Sequence, residues 1–151
     1  MITYNDVVAD ISKLADYIQY FSTEADNAKK DLEIKGNLQK LLSVMPGITE
    51  YRFNQLQNIE ALLQWMELEL KKIRRKYFQK YLENYNKALS AREAEKYTDG
   101  EQEVVDWEML INELSYIRNR YLGIIKGLES KNFMIGHIAR LRVAGFDDLV
   151  I

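Results

Sequence analysis

From Tyr4 to Leu32 the apolar residues recur at steps that alternate strictly between three and four: Tyr4, Val7, Ile11, Leu14, Ile18, Phe21, Ala25, Ala28 and Leu32. This is the a/d pattern of a heptad repeat, and it calls for a helix with one continuous apolar seam. Thr3 or Asn5 can cap the start, and Gly36 weakens the end. A seam on a helix of about 30 residues cannot be left in water. It either folds back on its own chain or pairs with another copy, and a mixture of both is expected.

The rest of the chain is equally poor in punctuation. One proline and seven glycines in 151 residues leave little material for turns, which favours a few long elements. With 47% hydrophobic and 29% charged residues, the chain can bury a core as one compact domain. No β-branched alternating run of useful length occurs, so the expected fold is all-α. The expected architecture is a long-helix antiparallel bundle with a coiled-coil-like N-terminal helix, assembled as a homo-oligomer.

Met45-Pro46-Gly47 reads as the clearest break, because proline and then glycine disfavour helix twice. It divides an N-terminal heptad region, 1–44, from a helical core, 45–151. Leu38 to Val44 reads as a short apolar helical piece. Thr49 then caps a helix running from Glu50 to about Leu89. Ser90-Ala91-Arg92-Glu93 has the spacing of a capping box, and Thr98-Asp99-Gly100 reads as a turn. A last long helix starts near Asp106 and ends at Gly145. Its apolar phase shifts near Glu129–Asn132, so Ile135, Ile138 and Leu141 point away from the earlier stripe, as if handed to another packing partner. The residues after Gly145 form a short apolar tail.

Several functions are disfavoured by composition. Zero cysteines removes disulfides, thiolate metal sites and thiol chemistry. The single histidine, His137, makes a triad or a histidine-rich metal site improbable; beside Arg140 and Arg142 it suits a phosphate contact or an interface better than a general base. The acids between Glu93 and Glu108 lack EF-hand spacing and suit the start of a helix, with another protomer's basic surface as a further partner. No glycine-rich phosphate loop or serine elbow occurs. No enzyme, catalytic residue, cofactor or metal is expected. No apolar run is long enough for a membrane span, and the N-terminus has no secretory leader pattern. The expected location is the cytoplasm, or the host cytoplasm if the protein is viral.

Against a net charge of only −2, residues 71–80 read KKIRRKYFQK, with six cations and two aromatic rings. Charge concentrated in this way marks a contact with the opposite sign, and the interleaved rings favour single-stranded nucleic acid. On a helical wheel Lys71, Lys72, Arg75, Lys76 and Lys80 lie opposite the apolar stripe, while Arg74 falls inside it and suits an ion pair. Trp65 falls on the basic half and, with Phe78, is a candidate stacking group or a subunit contact. Tyr77 and Tyr81 lie on the apolar stripe and are expected in the core. The competing reading of the basic block is a solvated helix face.

The segment Leu128–Arg142, LESKNFMIGHIARLR, resembles the C-terminal signature of the UvsY-like recombination mediators of myovirus-type phages. The matching positions are Ser130, Lys131, Phe133, Ile135, His137 and Ile138, and residues 71–78 look like that family's basic DNA-binding region. The likeness spans about residues 50–145 and excludes the heptad-bearing N-terminus. The chain departs from the pattern after the basic block, continuing through Tyr81, Leu82, Glu83 and Asn84 without a glycine. The resemblance implies a mediator that helps a RecA-like recombinase displace single-strand-binding protein from single-stranded DNA. It also implies homo-oligomers formed through C-terminal helices, with Ile135, His137, Ile138 and Leu141 at the contacts. Lys71, Lys72, Arg74, Arg75, Lys76 and Lys80 would then serve the nucleic acid. The rival is a non-enzymatic helical scaffold whose cations meet an acidic protein partner.

Overall fold

The computed structural model describes residues 1–85 and 87–145, and every regular element among them is helical. Two short helices, α1 (Tyr4–Ala9) and α2 (Leu14–Asn27), precede α3 (Leu38–Glu83), α4 (Ala91–Asp99) and α5 (Gln102–Val143). Helix α3 has 46 residues, about 69 Å of axis at 1.5 Å per residue. It packs along α5 with the chain directions opposed: Gln55 meets Tyr121, Trp65 meets Trp107, and Lys76 meets Glu103.

The N-terminal seam does not form the single helix expected from its heptads. Asp10 adopts an extended backbone, and its carboxylate accepts from the Ser12 backbone N–H at 3.1 Å. A short polar side chain that bonds its own backbone competes with the helix at that point. The break turns Ile11 out to solvent and brings Tyr17, absent from the strict repeat, into the core. Thr3 opens α1, its backbone N–H donating to the Asp6 carboxylate at 2.7 Å. Phe21, Ala25 and Ala28 then pack against the α3–α5 pair, so the segment folds back on its own chain. Leu32 closes this seam against Gly127, where a Cβ would sit 2.8 Å from a Leu32 methyl. Gly36, at φ +87°, makes the reversal into α3 in a backbone region that glycine enters at little cost.

Pro46 does not break the chain. Helix α3 passes through Met45-Pro46-Gly47, and Thr49 lies inside it rather than capping it. Asn37 is the cap, accepting from the Lys40 N–H at 3.1 Å. The apolar register explains the continuity, because Leu38, Leu41, Met45 and Ile48 keep the three-four spacing across the proline and all pack on the core. A proline inside a helix costs about 3 kcal/mol, whereas fully burying one large apolar side chain gains about 1.5–3 kcal/mol. Several such contacts outweigh one lost hydrogen bond. The boundary at 44/45 therefore falls within α3.

The phase shift in α5 is likewise absent. Leu114, Ile117, Tyr121, Ile124, Leu128, Lys131 and Ile135 form one buried stripe at strict three-four spacing. Lys131 occupies an inside position at 5% exposure, its ammonium donating to the Asp31 backbone carbonyl at 2.6 Å. A charged residue in an apolar slot conceals the register from a reading of hydrophobicity alone. Ser90 caps α4 as its spacing predicts, with Ser90 N–H donating to Glu93 at 2.8 Å. Helix α5 starts earlier than expected, at Gln102, and stops just before Gly145. The apolar tail after Gly145 lies outside the described residues.

Two polar residues, Arg52 and Gln55, also sit on the α3 stripe. Arg52, 6% exposed, donates to Asp31 at 2.7 Å, to Glu24 at 3.1 Å and to Gln55 at 2.9 Å. Tyr121 donates to Gln55 at 3.2 Å. The network ties the N-terminal segment to both long helices, and a buried charge with all its partners present escapes the penalty of isolation.

Candidate nucleic-acid interface

The basic block falls on the C-terminal half of α3, where α4 and the first turns of α5 lie alongside. Acids on those two elements and on the link between them divide the cations into two groups. Arg74 is bonded to Asp99 and, at 3.3 Å, to Glu108. Lys76 meets Glu103 at 3.0 Å and Lys80 approaches Glu101 at 4.0 Å. Four acids of the stretch, Asp99, Glu101, Glu103 and Glu108, thus pair within their own chain. Arg74 fulfils the ion-pair role that its place in the apolar stripe predicts, rather than lying free for phosphate. Lys76 and Lys80 are similarly engaged, although both side chains remain mostly in solvent. Exposed pairs of this kind are typically worth about 0–1 kcal/mol, so a phosphate can compete for either ammonium.

Two tyrosines share the same acids. Tyr77 donates to Glu103 at 2.6 Å, and Tyr81 donates to Glu101. The hydrogen bond to Glu101 and then partial desolvation push Tyr81 up to about 12. Glu103 is held below the usual carboxylate range, first by the Tyr77 hydroxyl and then by Lys76. Lys76 is raised in return, chiefly by its bond to Glu103. Both tyrosines are half-buried along this seam rather than fully enclosed.

The second group of cations forms no ion pair with the acids of α4 and α5 among the described residues. Lys71 and Arg75 are exposed with no ion-pair partner among the described residues, and Arg92 on α4 is the same. Among the described residues Lys72 pairs with Glu69, one turn earlier at 2.8 Å. Three neighbouring clefts meet at Arg75. The largest, about 510 Å³, lies between α3 and α4 and is lined by Arg74, Arg75, Arg92 and Phe78, with Glu95 as its one acid. A second, about 460 Å³, continues toward Lys76, Lys80, Glu83 and Asn84. A third, about 370 Å³, runs back past Lys71, Lys72 and Glu69 to Leu68 and Trp65. From Trp65 to Asn84 this basic surface follows about 28 Å of helix at 1.5 Å per residue.

The two candidate stacking groups separate. Trp65 packs on Trp107, ring centres 6.1 Å apart and tilted by 58°, and so belongs to the α3–α5 contact. Phe78 is half-buried and lines the cleft that also holds Arg75 and Arg92. Reading the sequence around α3 alone misses Arg92, because only the fold brings α4 beside Phe78. No protein-family model matches the chain, and no curated protein or solved structure matches it either.

The expected oligomer contacts also separate. Ile135 is fully buried within the protomer, so it is a core residue and not a subunit contact. The unbroken α5 register places it there. Ile138 and Leu141 are half-buried and His137 is exposed, leaving those three available to a neighbour. No group of three or more metal-ligating side chains occurs among the described residues. No described helix is long and apolar enough to cross a membrane.

Proposed function

We propose that this protein is a non-enzymatic, single-stranded DNA-binding recombination mediator. In this reading it helps a RecA-like recombinase onto DNA covered by single-strand-binding protein. The observation that carries it is the convergence of three clefts on Arg75, which with Lys71 and Arg92 forms no ion pair among the described residues, although Glu69, Glu83 and Glu95 line the same clefts. A row of exposed cations along a rigid helix follows a charged backbone without reading its sequence. Phe78 adds a flat apolar face where a base can lie.

Lys71, Lys72, Arg75 and Arg92 take phosphates first. Lys76 and Lys80 join by exchanging their carboxylate partners. So few contacts give weak, salt-sensitive binding, with dissociation constants of about 10⁻⁴–10⁻⁶ M at physiological salt. Several protomers on one strand raise the affinity by about 10²–10⁴-fold. The reading therefore includes a homo-oligomer, with an antiparallel helical bundle as protomer and His137, Ile138 and Leu141 toward the neighbour. Modest contacts multiplied by assembly suit a mediator that must release DNA to a recombinase. The mediator role itself rests on the resemblance at Ser130–Ile138 and residues 71–78.

The test has two stages. Fluorescence anisotropy with labelled oligo-dT should show binding that weakens steeply with salt, and Lys71→Glu with Arg75→Glu should remove it. Filament assembly by a RecA-like recombinase on protein-coated DNA should then be accelerated by the wild type and not by that variant. Absence of binding at low salt would favour the rival, a scaffold gripping an acidic protein.

A further inference from the structure

At the end of the basic surface three tyrosines from two elements converge. Tyr81 lies on α3, Tyr85 just beyond its end and Tyr97 on α4. Their ring centres form a closed triangle, with Tyr81–Tyr85 at 5.5 Å, Tyr81–Tyr97 at 5.3 Å and Tyr85–Tyr97 at 5.7 Å. Tyr81 and Tyr97 are stacked, with planes 28° apart. The three do not play equal parts. Tyr81 is half-buried and held by Glu101, which makes it the base of the cluster. Tyr85 and Tyr97 remain 44% and 48% exposed.

Clustered rings that leave nearly half their surface in water form an apolar patch with flat faces. The patch adjoins cations: Lys80, whose ammonium lies 5.5 Å from the Tyr81 ring centre, also lines the cleft that continues to Arg75. Backbone-binding charge followed by open aromatic faces is the arrangement that holds unpaired bases. Two acids, Glu101 and Glu103, underlie the Tyr77 and Tyr81 hydroxyls, which disfavours an anionic group directly on that seam. The neutral face of a base meets no such repulsion.

We infer that Tyr85 and Tyr97, based on Tyr81, form a stacking platform that takes one or two unpaired nucleobases of a strand whose phosphates follow Lys71, Arg75 and Lys80. This rests on the proposed DNA-binding reading and adds what that reading lacks, a preference for polymers that carry bases. The platform accepts any base, since every base has a π face.

The experiment compares labelled oligo-dT with an abasic phosphodiester backbone of equal length, using full-length wild type, Y85L/Y97L and Y85F/Y97F across a salt series. Circular dichroism serves as a check on helix content. Wild type and the phenylalanine variant should prefer oligo-dT by at least about fivefold per stacked base. In the leucine variant that preference should collapse, while the salt slope, which counts phosphate contacts, stays the same. Equal affinity of wild type for both polymers would overturn the platform while leaving phosphate binding intact. A preference unchanged in a folded leucine variant would also overturn it. Binding to neither polymer at low salt would overturn the DNA-binding reading itself, and the platform with it.

Discussion

The Lys76 ammonium lies 3.0 Å from the Glu103 carboxylate, so one of the cations best placed to hold a phosphate is occupied by a carboxylate of its own chain. The pair joins α3 to the first turn of α5, and Tyr77 shares the same oxygen. Glu103 therefore competes with any polyanion for Lys76. Replacing Glu103 by glutamine keeps a hydrogen-bond acceptor for Tyr77 and removes the charge. Affinity for oligo-dT should rise by about 1.5- to 5-fold, the equivalent of one exposed ion pair. Anisotropy titrations at fixed low salt measure this directly.

The N-terminal segment depends on Arg52. Its guanidinium satisfies Asp31 and Glu24 together, and Arg52→Leu would leave both carboxylates partly buried without that partner. Breaking such a pair costs about 3 kcal/mol or more, which for a chain of this size lowers Tm by about 6–12 °C. Arg52→Lys keeps the charge but cannot present the same fork, so it should fall in between. Thermal melts followed at 222 nm distinguish the three proteins.

Acid should loosen the same attachment. Glu24 is held below its ordinary value of 4.5, first by the hydrogen bond from Gln55. Asp26 is held below 3.8, first by Arg120. Because both folded values are depressed, their stabilisation is complete above the ordinary values and disappears as pH falls through the lowered ones. Stability should be flat from about pH 7 to pH 5 and then fall below about pH 4.5. Amide exchange should show α2 losing protection before the middle of α3 does.

Pro46 offers a gain in stability. Alanine restores a helical N–H and removes the ring from the preceding turn, so Pro46→Ala should stabilise the protein by about 1–3 kcal/mol. Gly47 has open space around a Cβ, and Gly47→Ala should add about 0.5–1 kcal/mol. Denaturant midpoints at unchanged slope would show both.

What the sequence reveals and conceals follows from the range of the interactions. Helicity is legible because the apolar spacing and the scarcity of breakers are local properties. The Ser90 cap is legible for the same reason, and so is the assignment of Arg74 to an ion pair, since its phase within the stripe can be counted. The continuity of α3 through Pro46 is not legible locally, because it depends on Met45 and Ile48 finding a core. Asp10 misleads in the other direction, where one carboxylate interrupts a perfect heptad. Lys131 and Arg52 hide the register because their partners, Asp31 and Glu24, lie far away in the sequence. The same holds for the candidate interface. A count of charges finds residues 71–80 but cannot tell which of them α4 and α5 neutralise, nor that Arg92, Tyr85 and Tyr97 stand beside those left open.

The central claim is that Arg75 and Lys71 present unpaired charge to a single strand. Its most direct measurement is the salt dependence of oligo-dT binding by the full-length wild type beside R75E/K71E, with helix content verified for each. Wild type should lose affinity with log-log slope near −0.7 for each phosphate contacted, and the variant should lose at least about tenfold at about 50 mM salt with a shallower slope. Equal binding and equal slopes for the two proteins, or no wild-type binding even at low salt, would contradict the account.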